Sequence, residues 1–446
     1  MKSLYSRTNI IRQLVLNSAA VLILSMAAVI PAAAQGITSV DRERAQVMLS
    51  ELKSNIKGDY YDPGFHGVNI DDRFKAAEEM IKKATSLGQT FGIIAQAMMS
   101  LNDSHTFFLP PAQTVSSQYG WEMQAIGDRC YVVAVKPGSD ADAKGLHPGD
   151  AVLALNGVAP TRPELWKIGY LYYTLRPQAG MRLLIETPDG QHKEIDVLAK
   201  VKTSKRSLDF TQGDDIWQVI RDAENEDRIN RHRYVETTEA FIWKMPDFQF
   251  SPDKVDTMMD KVRKHDNLVL DLRGNPGGYE ITMQRLVANL FDKDITVGNA
   301  KRRKETKPII AKSVGAKAYK GKVIVLVDSE SGSAAEILAR TVQLQKRGVV
   351  IGDRTAGAVM EARLHPHQMG RDVAVFYSAS ITEADFLMPD GVSLEGVGVT
   401  PDTPMLPTAI DLSKKLDPVL AYAINQTGMK IDAAKAGEMF PIEWAK

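Results

Sequence analysis

Val323-Ile324-Val325-Leu326-Val327-Asp328-Ser329-Glu330-Ser331-Gly332-Ser333-Ala334-Ala335-Glu336-Ile337-Leu338 is the stretch on which the fold turns. An unbroken apolar run rich in valine predicts a strand buried on both faces, as in a parallel sheet covered by helices. A short polar turn follows, and then the apolar spacing of a helix. Ser333 falls where that helix begins, close to its free backbone amides and the positive end of its dipole. The same residue also fits a plain helix cap, because Ser333 with Glu336 three positions on makes a capping box. Ser329, Ser331 and Ser333 crowd one turn, so the turn alone does not single out a nucleophile.

Outward from this unit, strands alternate with amphipathic helices. Strands are expected at 241–243, 268–272, 323–327 and 349–351, with helices at 255–262, 279–291 and 334–344. This β-α-β rhythm predicts an α/β layered domain over 234–406. The strand 268–272 runs into Arg273-Gly274-Asn275-Pro276-Gly277-Gly278. Glycines there permit conformations that point amides outward, as an oxyanion hole requires. Further on, Leu394-Glu395-Gly396-Val397-Gly398 sets Glu395 between a turn and a glycine-rich strand, where a carboxylate can be aimed.

Upstream the character changes. Residues 116–205 hold short β-type runs between Pro, Gly and Asp turns, and Asn156-Gly157 is expected to close a tight hairpin. Residues 35–115 carry helical spacing around 47–52, 74–81 and 91–101. The polar stretch 206–233 reads as a connector, and 407–446 as a C-terminal helical tail.

The chain has 446 residues, with 55 basic and 55 acidic side chains. No field attracts nucleic acid or an anionic membrane, so neither is an expected partner. Lys2, Arg7 and Arg12 precede an apolar stretch over 14–30 and then Ala32-Ala33-Ala34. That order is a signal peptide over 1–34, and it predicts export, to a bacterial periplasm, with no membrane span after cleavage. The single cysteine, Cys130, excludes an intrachain disulfide and reads as a buried small hydrophobe.

Four motifs in order carry a resemblance: Asp271-Leu272-Arg273-x-Asn275-x-Gly277-Gly278, Ser333-Ala334-x-Glu336, Gly352-x-x-Thr355-x-Gly357, and Glu395-Gly396-x-Gly398-Val399-x-Pro401-Asp402. Together they resemble the C-terminal processing (tail-specific) protease family. The resemblance implies a crotonase/ClpP-like catalytic domain, a serine-type peptidase without cofactor or metal, and polypeptide substrates. By it Ser333 is the nucleophile, and the amides of Ala334 and of Gly277 or Gly278 form the oxyanion hole. Gly149-Asp150-Ala151-Val152-Leu153-Ala154-Leu155-Asn156-Gly157 is similar to a PDZ-like module, which implies peptide binding near Tyr119, Gly120 and Trp121.

Many members of that family carry a lysine base directly after the G-x-x-T-x-G turn, where this chain has Ala358. The tricorn-like branch supplies a histidine ahead of the PDZ-like segment and a glutamate near the domain's end. Ser104-His105 and Glu395 resemble those groups. They imply a Ser/His/Glu triad in which His105, with an ordinary pKa near ~6.5, is the base and Glu395 orients it. In that reading Ser104 assists the oxyanion or orients Glu395. The alternative is a catalytically inactive peptide-binding protein on the same scaffold.

Overall fold

The structure, a computed structural model, describes residues 37–111, 115–203, 231–370 and 374–444. The expected signal peptide and most of the expected connector lie outside these residues. No described helix is long and apolar enough to cross a membrane.

Three helices open the described chain: α1 (Ser39–Asp59), α2 (Ile70–Lys83) and α3 (Leu87–Met99). Each starts where a side chain takes up a free amide, at Thr38, Asn69 and Ser86. Their buried faces, including Leu52, Ile56, Phe74, Ile81 and Ile94, close on Phe107, Phe108, Tyr377 and Ile381. The helical region therefore shares its core with strands from both ends of the chain. One of these is β1 (Phe107–Leu109), two residues beyond His105.

Next come β2 (Trp121–Ile126), β3 (Arg129–Val135), β4 (Ala151–Leu155), the short helix α4 (Leu165–Gly169), β5 (Gly180–Glu186) and β6 (His192–Leu198). The strands form an antiparallel sheet in chain order, with β2 at one edge. Asn156 and Gly157 both have positive φ, and Leu155 exchanges hydrogen bonds with Val158 across them. The tight hairpin expected from Asn-Gly is present. Cys130 is buried and unpaired.

The large domain runs through β7 (Arg233–Glu236), β8 (Phe241–Lys244), α5 (Pro252–Val262), β9 (Asn267–Asp271), α6 (Glu280–Leu290), β10 (Ile295–Arg302), β11 (Thr306–Ala311), β12 (Lys322–Val327), α7 (Ala334–Leu344), β13 (Val349–Gly352), β14 (Met360–Met369), β15 (Val375–Leu387) and β16 (Thr403–Pro404). A sheet in the order β16-β13-β12-β9-β8-β7 is parallel except for β7. The reason for the continuous apolar run at 323–327 is visible in its packing. Val323, Val325 and Val327 face α5, α6 and α7, while Ile324 and Leu326 face the opposite core. Alternate side chains serve two cores, so no position is left polar.

That second core is closed by the C-terminal segment. Helix α8 (Pro418–Asn425) buries Val419, Leu420 and Ile424 against Ile242, Val269 and Ile351. Arg273 clamps it, bonding both Asp271 beneath and Asp417 at the start of α8. A second sheet sets β1 beside β15, with β10, β11 and β14 completing it.

The β2–β6 sheet docks on the large domain through polar bonds. Arg162 pairs with Asp353 at 2.8 Å, and both side chains are mostly buried. Asp353 also accepts from Gly127 N at 2.9 Å, and Gln124 Nε2 donates to Asp328 at 2.7 Å. Between the two parts lies a cavity of about 400 Å³.

Candidate active site

Ser333 sits at the junction of β12 and α7 with φ 49° and ψ −118°. A non-glycine residue there carries backbone strain, commonly about 1–3 kcal/mol, which persists only where its surroundings hold it. Two restraints are evident. Its N–H donates to Ala358 O at 3.0 Å and to Glu336 Oε2 at 3.1 Å. Gly277 packs on its other side so closely that a Cβ there would lie 2.6 Å from the Ser333 Cβ. A side chain at 277 and this serine geometry exclude each other.

The glycine-rich turn resolves the two amides left open by the sequence. Gly277 N–H donates to the Asn275 side chain at 2.9 Å, so it is committed within the turn. Gly277 is thereby corrected from donor to packing partner. At Gly278, φ is 134°, and its neighbours rather than its own amide bond Phe248. Ala334 is the first residue of α7, where the helix leaves amides unbonded internally.

His105 is buried and lies just before β1. Its loop is fixed by Asp103, a residue the sequence reading passed over. Asp103 Oδ1 accepts from His105 N at 2.9 Å, Thr106 N at 2.7 Å and the Thr382 hydroxyl at 2.7 Å. Asp103 Oδ2 accepts from Tyr60 at 2.9 Å. An aspartate bonding amides two and three residues on is a local turn device, and the Asn-Asp-Ser-His run could have disclosed it.

Glu395 does not reach the imidazole directly among the described hydrogen bonds. Ser104 stands between, its oxygen 2.6 Å from His105 Nδ1 and 2.9 Å from Glu395 Oε2. Ser104 N also donates to Glu395 Oε1 at 2.7 Å, and Val359 N to Oε2 at 2.9 Å. With Glu395 ionised, the one hydroxyl proton goes to the carboxylate, and Nδ1–H becomes the donor to Ser104. Nε2 is then left as an acceptor.

Burial governs the titration of these groups. It pushes His105 down to about 4, against a smaller opposing attraction from Asp103. Burial pushes Glu395 up to about 7, and the donors at Ser104 and Val359 only partly offset it.

The cavity brings several predicted residues together. Ser104 and Glu395 line it, with Gly332, Pro276 and Ala356, Gly357 and Ala358. Trp121, Met123, Leu165, Trp166 and Tyr172 line it as well, interspersed with Glu122, Arg162, Glu164 and Lys167. Of the three residues expected to bind peptide, only Trp121 lines it. Tyr119 is packed inside the small module with its hydroxyl on Gln178 O at 2.8 Å, and Gly120 turns the chain at φ 71°. His365 and His367 lie apart on β14, where His367 Nε2 meets Asn55 of α1 at 2.7 Å.

A parallel α/β sheet whose central strand leads through a polar turn to a strained serine at a helix start, with a glycine turn packed on it, is the framework of a serine hydrolase. Residues 242–405 match the sequence model of Peptidase family S41, and the curated proteins similar to this chain include C-terminal processing and tail-specific proteases. The chloroplastic carboxyl-terminal-processing peptidase 3 of Arabidopsis thaliana is 25% identical over 408 residues, covering 85% of this chain and 74% of the relative. A probable CtpA-like serine protease of Staphylococcus haemolyticus is 23% identical over 320 residues, 71% of this chain and 58% of the relative. The tail-specific protease of Haemophilus influenzae is 25% identical over 272 residues, 57% of this chain and 36% of its own length. Two of these three relatives are thus matched over less than two thirds of their length. Among solved structures, mature CPAF complexed with lactacystin superposes with a TM-score of 0.62 at 15% identity, covering 84% of this chain and 96% of that one. The photosystem II D1 C-terminal processing protease gives 0.51 at 19%, covering 91% and 100%. Both likenesses are of fold.

Proposed function

We propose that the chain is an exported serine endopeptidase that cleaves unfolded or C-terminally exposed polypeptides with Ser333, His105 and Glu395, Ser104 bridging the last two. The observation that carries this reading is the Glu395–Ser104–His105 chain, which leaves Nε2 free to take a proton. His105 Nε2 takes the Ser333 hydroxyl proton as the oxygen bonds to the scissile carbonyl carbon. The amides of Ala334 and Gly278 stabilise the oxyanion. His105 returns the proton to the leaving amine, and water, deprotonated the same way, releases the acyl group. Ala358 is no obstacle, since its backbone holds Ser333 and Glu336 while the base comes from elsewhere.

The β2–β6 sheet serves in this proposal as the PDZ-like module. An extended substrate adds to the edge of β2, and apolar side chains enter between Trp121, Met123, Leu165 and Tyr172. Cleavage is tested on an unfolded polypeptide with a free apolar C-terminus, products being read by mass spectrometry beside Ser333→Ala. Fragments from the wild type alone are expected; an intact substrate in both would favour the inactive, peptide-binding alternative.

A further inference from the structure

Glu336 is wholly buried on the first turn of α7, one helical turn from Ser333. A helix-capping glutamate needs one partner. This one has four, drawn from two segments. Oε1 accepts from Thr355 Oγ1 at 2.5 Å and Gly357 N at 2.8 Å. Oε2 accepts from Ala358 N at 2.9 Å and Ser333 N at 3.1 Å. The nucleophile's own amide and the 355–358 turn therefore meet on a single carboxylate. Ala358 closes the loop by accepting from Ser333 N.

The next amide extends the connection. Val359 N–H goes to Glu395, which holds Ser104 and through it His105. Consecutive amides at 358 and 359 are gripped by two different carboxylates, Glu336 fully buried and Glu395 partly so. One of these positions the serine, the other the imidazole. We infer that Glu336 is a positioning residue, whose carboxylate sets the strained Ser333 backbone and its register against the Glu395–Ser104–His105 chain. This rests on Ser333 being the nucleophile. Burial pushes Glu336 up to about 7, opposed by its four donors, so ionising this carboxyl costs more than it would at an exposed cap.

Glu336→Gln keeps the size but turns an NH₂ toward amide donors in either orientation: Gly357 N on one side, or Ala358 N and Ser333 N on the other. Labelling of the full chain by a fluorophosphonate separates reagent binding (KI) from bond formation (kinact). The variant is expected to lose about tenfold or more in kinact with KI unchanged, as small misplacements of reacting groups do. If Glu336→Gln does not fold, Thr355→Val removes one donor and keeps the carboxylate, and a two- to fivefold loss in kinact is expected. Wild-type kinact in the folded fraction of Glu336→Gln, or in Thr355→Val where that variant must decide, with only a lowered melting temperature, overturns the inference. Absence of label on the wild-type Ser333 would instead overturn the peptidase reading beneath it.

Discussion

The Ser104 hydroxyl donates to Glu395 Oε2 at 2.9 Å while its oxygen lies 2.6 Å from His105 Nδ1. A carboxylate held 291 residues away in sequence thus reaches the imidazole through a neighbour of the histidine itself. In the proposed mechanism the bridge fixes the ring's tautomer and gives Glu395 a path to the positive charge that develops when Nε2 is protonated.

Ser104→Ala removes the bridge and leaves both Nδ1 and Oε2 facing a methyl group. Losing a hydrogen bond to a charged partner costs about 1.5–3 kcal/mol, which is roughly a 10- to 100-fold lower rate. Peptide hydrolysis should show that drop in kcat with KM little changed. A wild-type kcat would remove Ser104 from the proton path.

The pH profile follows from the two shifts. His105, depressed to about 4, is already neutral throughout the neutral range, so its titration does not limit the rate there. Glu395, raised to about 7, takes up a proton as pH falls through that value and ceases to accept from Ser104. Glu336 titrates in the same range. Activity should therefore decline as pH drops through about 7, well above the histidine value. A rate constant from pH 8 down to 5 would contradict a required carboxylate charge.

Gly277→Ala should damage the site more than a glycine replacement elsewhere. At φ 105° the new Cβ would press on the Ser333 Cβ at 2.6 Å. Gly190, at φ 83° with nothing within 4 Å, supplies the control, since only backbone strain is added there. The Gly190 change should cost about 1–3 kcal/mol in stability and the Gly277 change more, measured by thermal unfolding, and only the latter should slow fluorophosphonate labelling in the folded protein. Equal labelling rates would mean that the contact with Ser333 carries no functional weight.

How much of this was legible in the sequence depended on the distance between partners. The strand at 323–327 and the helix from 334 were read within a residue of their positions, because two-faced burial leaves an unbroken apolar run. The hairpin at Asn156-Gly157 was legible because both residues tolerate positive φ. The β14–β15 hairpin was missed: one strand holds Arg363, His365, Pro366, His367 and Gln368, half exposed against a helix, and its alternation is blurred by long polar side chains. Strands β10 and β11 were missed for a similar reason, their outer positions being lysine, arginine and threonine. At the site, the motifs pointed to Ser333, Ser104, His105 and Glu395 separately. That Ser104 bridges the other two, that Asp103 anchors the loop, and that Gly277 gives its amide to Asn275 depend on three-dimensional contacts no local pattern records.

The central claim is that Ser333 is a nucleophile activated by His105. Intact-mass analysis after fluorophosphonate treatment, beside Ser333→Ala and His105→Ala, tests it most directly. The account predicts one adduct on the wild type, mapped to Ser333, absent in Ser333→Ala and slowed about 10²–10⁴-fold in His105→Ala, the usual contribution of a general base. A folded wild type without adduct, or a His105→Ala variant labelled at the wild-type rate, would contradict it.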